Sequence, residues 1–307
     1  MLCDRFGRYI RDIRVSLTHR CNLNCVYCHG EGESNPGREL EASEIERIVA
    51  VAADEGVSRV KLTGGEPLLR RDIFEVVERL SSIPGIEEVS MTTNATLLAD
   101  KASDLREAGL KRVNVSLDTL VPERYKEITG FDKLDSVLSG IDEAVRVGLN
   151  PVKTNMVLLR NINEDEIWNF VRFTRERNTI LQVIELVDFG DTSVFQRFHA
   201  DVEPLENEMR SCTEKVATRS MHKRKKYFLP DGTEVEIVKP VHNSDFCSNC
   251  TRIRLTSDGK LKPCLMRNDN LVSIVGPLRR GADSKTLREL FLKAVELREP
   301  YYMAEDE

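Results

Sequence analysis

No apolar run in these 307 residues approaches the length that spans a bilayer, and the opening Met1-Leu2-Cys3-Asp4-Arg5 lacks the apolar core of a signal peptide. The expectation is a cytoplasmic protein with no membrane partner. An excess of basic charge is also missing. The net charge is −6, which argues against a general nucleic-acid binder. The one local basic run, His222-Lys223-Arg224-Lys225-Lys226, reads as a solvated face or a linker. At 40% hydrophobic and 31% charged residues the composition is ordinary for a globular chain, and the length suits one large domain or one large plus one small.

Disulfides are rare in a cytosolic chain, so grouped cysteines read as metal ligands. Cys21, Cys25 and Cys28 lie within eight residues; Cys247, Cys250 and Cys264 form a second group, and Cys3 and Cys212 read as incidental thiols. Thiolates are soft ligands that suit iron–sulfur clusters, zinc or copper(I). Three close thiols leave a fourth corner for something else to fill. Zinc with a borrowed ligand is the alternative at both groups, and at the second group His242 or Cys212 could supply it.

Hydrophobic periodicity gives a repeating strand–helix pattern. Ile13, Val15 and Leu17 alternate in a first strand that runs straight into the cysteine loop. Residues 30–38 read as a loop, and Ser43-Glu44-Ile45-Glu46 as a capping box opening a helix that ends at Gly56. Arg59–Thr63 is a second strand, followed at once by Gly64-Gly65-Glu66-Pro67, where two glycines allow close backbone approach to a ligand. Asp72 caps the next helix, residues 87–93 form a third strand, and a helix from Leu97 stops at Gly109. Residues 112–117, 151–158 and 181–187 complete six strands. Helices ending at Gly148 and capped by Asn163 lie between the last three. Six parallel β-α repeats are too few for a closed eight-unit barrel. An α/β fold with an incomplete (β/α)6 barrel is expected, and an open doubly wound sheet is the alternative. Residues 200–220 read as polar and mostly helical. Two strand–turn–strand units, around Pro230-Asp231-Gly232 and Ser257-Asp258-Gly259, and a helix over 286–297 follow. The expected domains are 1–220, the partial barrel, and 221–307, a small cysteine-bearing domain covering its open side.

Cys-x3-Cys-x2-Cys with Tyr27 before the last cysteine resembles the signature of radical S-adenosylmethionine (SAM) enzymes. In that family three cysteines hold a [4Fe-4S] cluster whose open iron binds SAM, and reduction releases a 5′-deoxyadenosyl radical. The stretch from Cys250 through Arg252-Ile253-Arg254-Leu255 to Cys264 is similar to the GTP 3′,8-cyclase branch, which opens molybdenum cofactor biosynthesis and carries a second [4Fe-4S] cluster. The resemblance runs from Arg11 to about residue 265. It implies that Cys21, Cys25 and Cys28 serve catalysis on the first cluster. Tyr27, Gly64, Gly65, Glu66, Thr92 and Ser116 would lie at SAM, and Cys247, Cys250 and Cys264 would hold the substrate-side cluster. Arg14, Arg59, Lys61, Lys153, Arg252 and Arg254 would face GTP, the last two also serving catalysis. It further implies an electron donor such as ferredoxin or flavodoxin and a downstream cyclic pyranopterin monophosphate synthase; a homodimer is one assembly it leaves open.

Elementary electrostatics points the same way. Arg59 and Lys61 share one face of a strand, as do Arg252 and Arg254. Cations converging on an interior are prohibitive without anions, and a triphosphate supplies them. Surface pairing with Asp or Glu is the alternative, above all for Arg59. Two departures from the family pattern stand out. Gln182 lies where many relatives have arginine, and the usual C-terminal glycine pair is missing from Met303-Ala304-Glu305-Asp306-Glu307. Two other readings compete: a two-cluster radical enzyme acting on a peptide, and a zinc-stabilised binding module.

Overall fold

The computed structural model describes residues 1–33, 37–189 and 192–303. Six parallel strands, in sequence order, form its centre: β1 (Asp12–Ser16), β2 (Arg59–Thr63), β3 (Glu88–Thr93), β4 (Arg112–Ser116), β5 (Lys153–Leu158) and β6 (Ile180–Glu185). Each connection carries helix: α1 (Ala42–Asp54), α2 (Ile73–Ser81), α3 (Ala102–Glu107), α4 (Pro122–Thr129) with α5 (Leu134–Arg146), and α6 (Ile167–Glu176). This is the expected α/β arrangement of an incomplete barrel.

The strand pattern decides what goes where. Ile13, Val15, Val60, Leu62, Val89, Met91, Val113 and Val115 are almost wholly buried and pack outward onto the helices. Their polar alternates Arg14, Lys61, Ser90, Asn114, Asn155 and Gln182 fall on the opposite face. One face thus builds the core and the other lines a polar interior.

The remainder comprises α7 (Thr192–Phe198), α8 (Glu203–Cys212), β7 (Lys215–Thr218), β8 (Lys225–Phe228), β9 (Glu234–Val238), α9 (Ser244–Ser248), β10 (Arg252–Leu255), β11 (Lys260–Lys262), β12 (Val272–Ser273), α10 (Val275–Arg279) and α11 (Ser284–Glu296). It extends both edges of the sheet. β10 pairs parallel with β1, and β9 pairs parallel with β6, giving the order β12-β11-β10-β1-β2-β3-β4-β5-β6-β9-β8-β7. The expected boundary near residue 220 falls between β7 and β8, which are hydrogen-bonded neighbours. One apolar cluster joins Ile45 and Ile48 of α1 to Leu287 and Phe291 of α11.

Several local expectations are corrected. The capping box of α1 belongs to Glu41 and Glu44, not Ser43. The Asp72 carboxylate is taken by Arg70 (2.6 and 2.8 Å) and does not cap α2. Asn163 bonds the Asp118 and Val157 carbonyls (both 2.8 Å) instead of capping a helix. Residues 97–101 are turns before α3, and Lys215–Thr218 is a strand inside the stretch expected to be helical. The basic run is a solvated face only in part: Lys223 is exposed, but His222 is 6% exposed and Arg224 points inward. Of the altered tail, only Met303 lies within the described residues.

Candidate active site

The first cysteine loop leaves the C-terminal end of β1 and is held from two sides. On one side α4 presents its last carbonyls: Asn24 N–H donates to Thr129 O (2.9 Å) and Val26 N–H to Ile128 O (3.0 Å). On the other side the Gly64-Gly65 turn lies against the chain entering the loop. A Cβ at Gly64 would stand 2.3 Å from the Thr18 carbonyl oxygen, and one at Gly65 2.2 Å from that of Arg20. The glycines are therefore required by the protein's own backbone, where the sequence suggested approach to a ligand. Glu66 is fully buried, and its carboxylate accepts from Leu68 N (3.0 Å), Thr93 Oγ1 and Asn94 N (both 2.7 Å). It ties β2 to β3 and does not present its oxygens to an open site; burial pushes its carboxyl up to about 7. Tyr27 donates to Asp118 (2.5 Å), and Thr92 and Ser116 stand half-buried near the C-terminal ends of β3 and β4. Cys21 and Cys28 are exposed and Cys25 half-buried, all three unbridged. Burial, then the neighbouring Asp118, Cys28 and Cys21, drives the Cys25 thiol well above its ordinary value. A bound cation would reverse that penalty, and three thiols are the donor chemistry of a metal cluster; among the described residues no three such side chains are drawn together round a single ion.

Below this loop the register sorts charge into two rows. The lower row reads Arg252, Asp12, Arg59, Glu88 across β10, β1, β2 and β3, alternating in sign. Arg59 donates to Asp12 (3.1 Å), so its charge is matched there. The upper row reads Arg254, Arg14, Lys61, Ser90, Arg112 and carries one sign only. Like charges directly opposite one another on a sheet are destabilising. Glu31, from the turn after Cys28, answers part of this excess by accepting from Arg254 (2.8 Å) and Arg14 (3.3 Å). Burial alone would raise the Glu31 carboxyl, but the two guanidiniums override it and hold it down to about 2. Arg112 pairs with Glu88 (2.7 Å). Among the described residues Lys61 has only a neutral partner, Asn114 Oδ1 (2.6 Å). Lys153 is placed differently from expectation. It is 5% exposed and salt-bridged to Glu236, so it does not stand free in the interior.

The second cysteine group lies beside the same rows. Cys247 and Cys250 flank the end of α9, immediately before Arg252, and Cys264 follows β11. All three are half-buried and unbridged. Buried Arg8 and Arg298 share Asp4 and donate to the carbonyls of Cys247 (2.9 Å) and Cys250 (2.8 Å). The Tyr302 N–H donates to Cys247 Sγ (3.5 Å). Burial would raise the Cys250 thiol, but Arg298, Arg252 and Arg8 bring it below its ordinary value. Burial instead raises the Cys247 and Cys264 thiols, so in this group the protein alone favours the thiolate only at Cys250. His242 packs on Tyr302, and Cys212 lines a surface groove with Trp168 and Pro230.

The Radical SAM superfamily matches residues 15–174, and Molybdenum Cofactor Synthesis C matches residues 179–304. A curated "Probable GTP 3′,8-cyclase" of Pyrococcus abyssi is 50% identical over 308 residues, covering 98% of this chain and 100% of that one. Another, of Methanothermobacter thermautotrophicus, is 50% identical over 302 residues, covering 97% and 98%. The chain belongs to the GTP 3′,8-cyclase family of radical SAM proteins. In fold it is similar to Streptococcus suis SuiB bound to S-adenosylmethionine, with TM-score 0.68 and 18% identity over 97% of this chain and 77% of that one. It also resembles native anSMEcpe with bound AdoMet, with TM-score 0.59 and 16% identity over 92% and 79%.

Membership of this family leaves four participants in the interior that the sequence did not single out. Glu31 sits in a run of three left-handed residues, Gly30 to Gly32, inside a segment read as plain loop. Asn114 bonds Lys61 from β4, two residues before Ser116. Arg224 was hidden in the basic run. Lys262, 1% exposed, donates to the Gly32 carbonyl (2.8 Å) from β11. Only the alternation of polar residues on the strands could have flagged Asn114 and Lys262 beforehand.

Proposed function

We propose that the chain is a radical SAM GTP 3′,8-cyclase, converting GTP to 3′,8-cyclo-7,8-dihydro-GTP at the start of molybdenum cofactor biosynthesis. The observation that carries the substrate half of this reading is the single-signed upper row, Arg254, Arg14 and Lys61, beside two groups of unbridged thiols. A buried row of like charges calls for a multivalent anion, and a triphosphate is one.

In this reading Cys21, Cys25 and Cys28 hold the [4Fe-4S] cluster that binds SAM, and Cys247, Cys250 and Cys264 hold a second, substrate-side cluster. A cluster held by the first three thiols would supply the electron for reductive cleavage of SAM, the source of the radical chemistry at the ribose. Thr92, Ser116, Tyr27 and the Gly64-Gly65 backbone surround SAM, while Glu66 fixes the turn that places them. Arg14, Arg252, Arg254 and Lys61 grip the substrate and orient its ribose. Arg59 and Lys153, already matched by Asp12 and Glu236, set the charge of the wall behind them. The hairpin of β10 and β11, reaching over the first cysteine loop, helps keep water from a reactive carbon centre. An electron donor of the ferredoxin or flavodoxin kind, a downstream cyclic pyranopterin monophosphate synthase and a cytoplasmic setting complete the proposal. Among the described residues no helix is long and apolar enough to cross a membrane.

Anaerobic turnover tests it. Reconstituted protein given SAM, a low-potential reductant and GTP should release 5′-deoxyadenosine and the cyclised nucleotide together, and Cys25→Ser should release neither. Wild-type protein that cleaves SAM but neither binds nor consumes GTP refutes the substrate assignment.

A further inference from the structure

Across the polar interior from Arg14 and Arg252 lies a second knot of charge, built from β5, β6, β9 and the turn before β8. Among the described residues its one carboxylate in contact is that of Glu236, fully buried and shared by Lys153, by Arg219 (3.1 Å) and, more remotely, by Arg224 (3.9 Å). Lys226, also near, is matched by Glu234 at 2.6 Å. Lys153, Arg219 and Arg224 therefore set three positive charges against one negative, an excess of two in a largely buried place. Such an excess is costly unless an anion completes it.

Arg224 is the member least accounted for by the protein. Its side chain is 11% exposed, and its buried Nε has no hydrogen-bond partner among the described residues. One edge of the guanidinium is fixed: Nη1 donates to Gln182 Oε1 at 3.0 Å. Gln182 is itself oriented, because its amide nitrogen donates to Asn155 (2.9 Å). The backbone that delivers Arg224 is also constrained. His222 (φ 63°) and Lys223 (φ 50°) are consecutive left-handed residues without glycine. Packing holds them there: His222 N–H donates to Asn249 O (3.0 Å), and its ring stacks on Phe246 at 3.8 Å. A strained turn fixed to the second cysteine segment marks a functional placement. Burial, and then repulsion by Arg219, Arg252 and Arg14 despite Glu236, brings the Arg224 guanidinium down to about 10; it faces the cations that line the opposite wall.

We propose that Arg224, held by Gln182, is a further substrate-binding residue that takes the outer phosphates of the nucleoside triphosphate. The triphosphate then bridges the two cation groups, Arg14 and Arg254 on one side and Arg224 with Arg219 on the other. Neither group needs a second protein carboxylate, because the polyanion supplies the missing charge to both. Gln182 is a positioning residue: it directs the guanidinium without meeting the ligand. The inference rests on the GTP reading and names which residues meet which part of the nucleotide.

The test compares GTP with GMP as ligands of the anaerobically reconstituted holoenzyme, by equilibrium dialysis, with thermal melts to confirm folding. Arg224→Met should weaken GTP binding by about 10- to 100-fold, the loss of one charge-assisted contact, and leave GMP binding unchanged. Gln182→Ala keeps every charge, so it avoids the folding risk; it should weaken GTP binding by less and again spare GMP. Equal losses for GTP and GMP, or unchanged GTP binding in folded variants, overturn the outer-phosphate contact. Wild-type protein that binds neither nucleotide overturns the GTP reading itself, a different result from either.

Discussion

Replacing Glu31 with Gln should make the free protein less stable and its grip on GTP tighter. Glu31 accepts from Arg254 and Arg14 and is held down to about 2 against an ordinary value of 4.5. At about 1.4 kcal/mol per pH unit this difference corresponds to about 3 kcal/mol of stability. A carboxyl lowered in the folded state contributes that stability above about pH 4.5 and loses it as pH falls toward about 2. Glu31→Gln should therefore cost about 3 kcal/mol in urea unfolding at neutral pH and flatten the acid limb between those values. The same carboxylate opposes the substrate. A phosphate on the free edge of the Arg254 guanidinium would sit about 5 Å from it, and at an effective dielectric of about 20 each unit charge is opposed by about 3 kcal/mol. With solvent and salt taking part of that, GTP should bind about 10- to 100-fold more tightly to the variant. Calorimetric titration of the reconstituted protein measures it. A folded variant that binds GTP no better than wild type would show that Glu31 positions the arginines for the substrate, and the competition argument would fail.

Two other expectations follow from charge. Burial first, and then Arg112, Arg14 and Arg252, hold the Lys61 ammonium well below the usual lysine range; a polyanion beside it reverses that, so across the pH range in which the free ammonium titrates, GTP binding should take up protons. Binding enthalpies independent of the buffer's ionisation heat would contradict this. Asp4→Asn leaves Arg8 and Arg298 buried without their shared carboxylate and should cost about 3–5 kcal/mol in stability; it should also lower the iron retained after reconstitution, since those arginines hold the Cys247 and Cys250 carbonyls. Unchanged stability and iron content would remove the arginine pair from the support of that site.

The strands were legible because period-two alternation is a local property: Val60 and Leu62 face the helices, and Arg59 and Lys61 do not. The cysteine groups were legible because ligand spacing lies within a few residues. Capping was less so. Ser43, Asp72 and Asn163 are sound cap residues, yet nearby partners changed the outcome: Glu41 with Glu44, Arg70, and the strand-end carbonyls of Asp118 and Val157. α4 was missed although Pro122 opens it and Gly130 follows it, because its eight residues carry little apolar periodicity. Charge partners were the least legible. Lys153 meets Glu236 across 83 residues of sequence, and Arg254 meets Glu31 across 223. Only the sheet order, which seats β9 beside β6 and β10 beside β1, brings those pairs together.

That order also explains why the C-terminal segment cannot be a detachable cover. β10 is hydrogen-bonded directly to β1, the strand that delivers the first cysteine loop. The hairpin then reaches back over that loop. Lys262 donates to the Gly32 carbonyl, Ser257 Oγ donates to Glu33 (2.6 Å), and Arg254 holds Glu31. Three consecutive residues just beyond Cys28 are thus fixed by the strand pair that separates Cys250 from Cys264. A ligand that draws Arg254 away from Glu31 loosens one of these three attachments and leaves two. The loop behind the first thiols can then respond to occupancy of the cation row without releasing its position, which is what a site must do to hold a radical generator still while admitting a charged substrate.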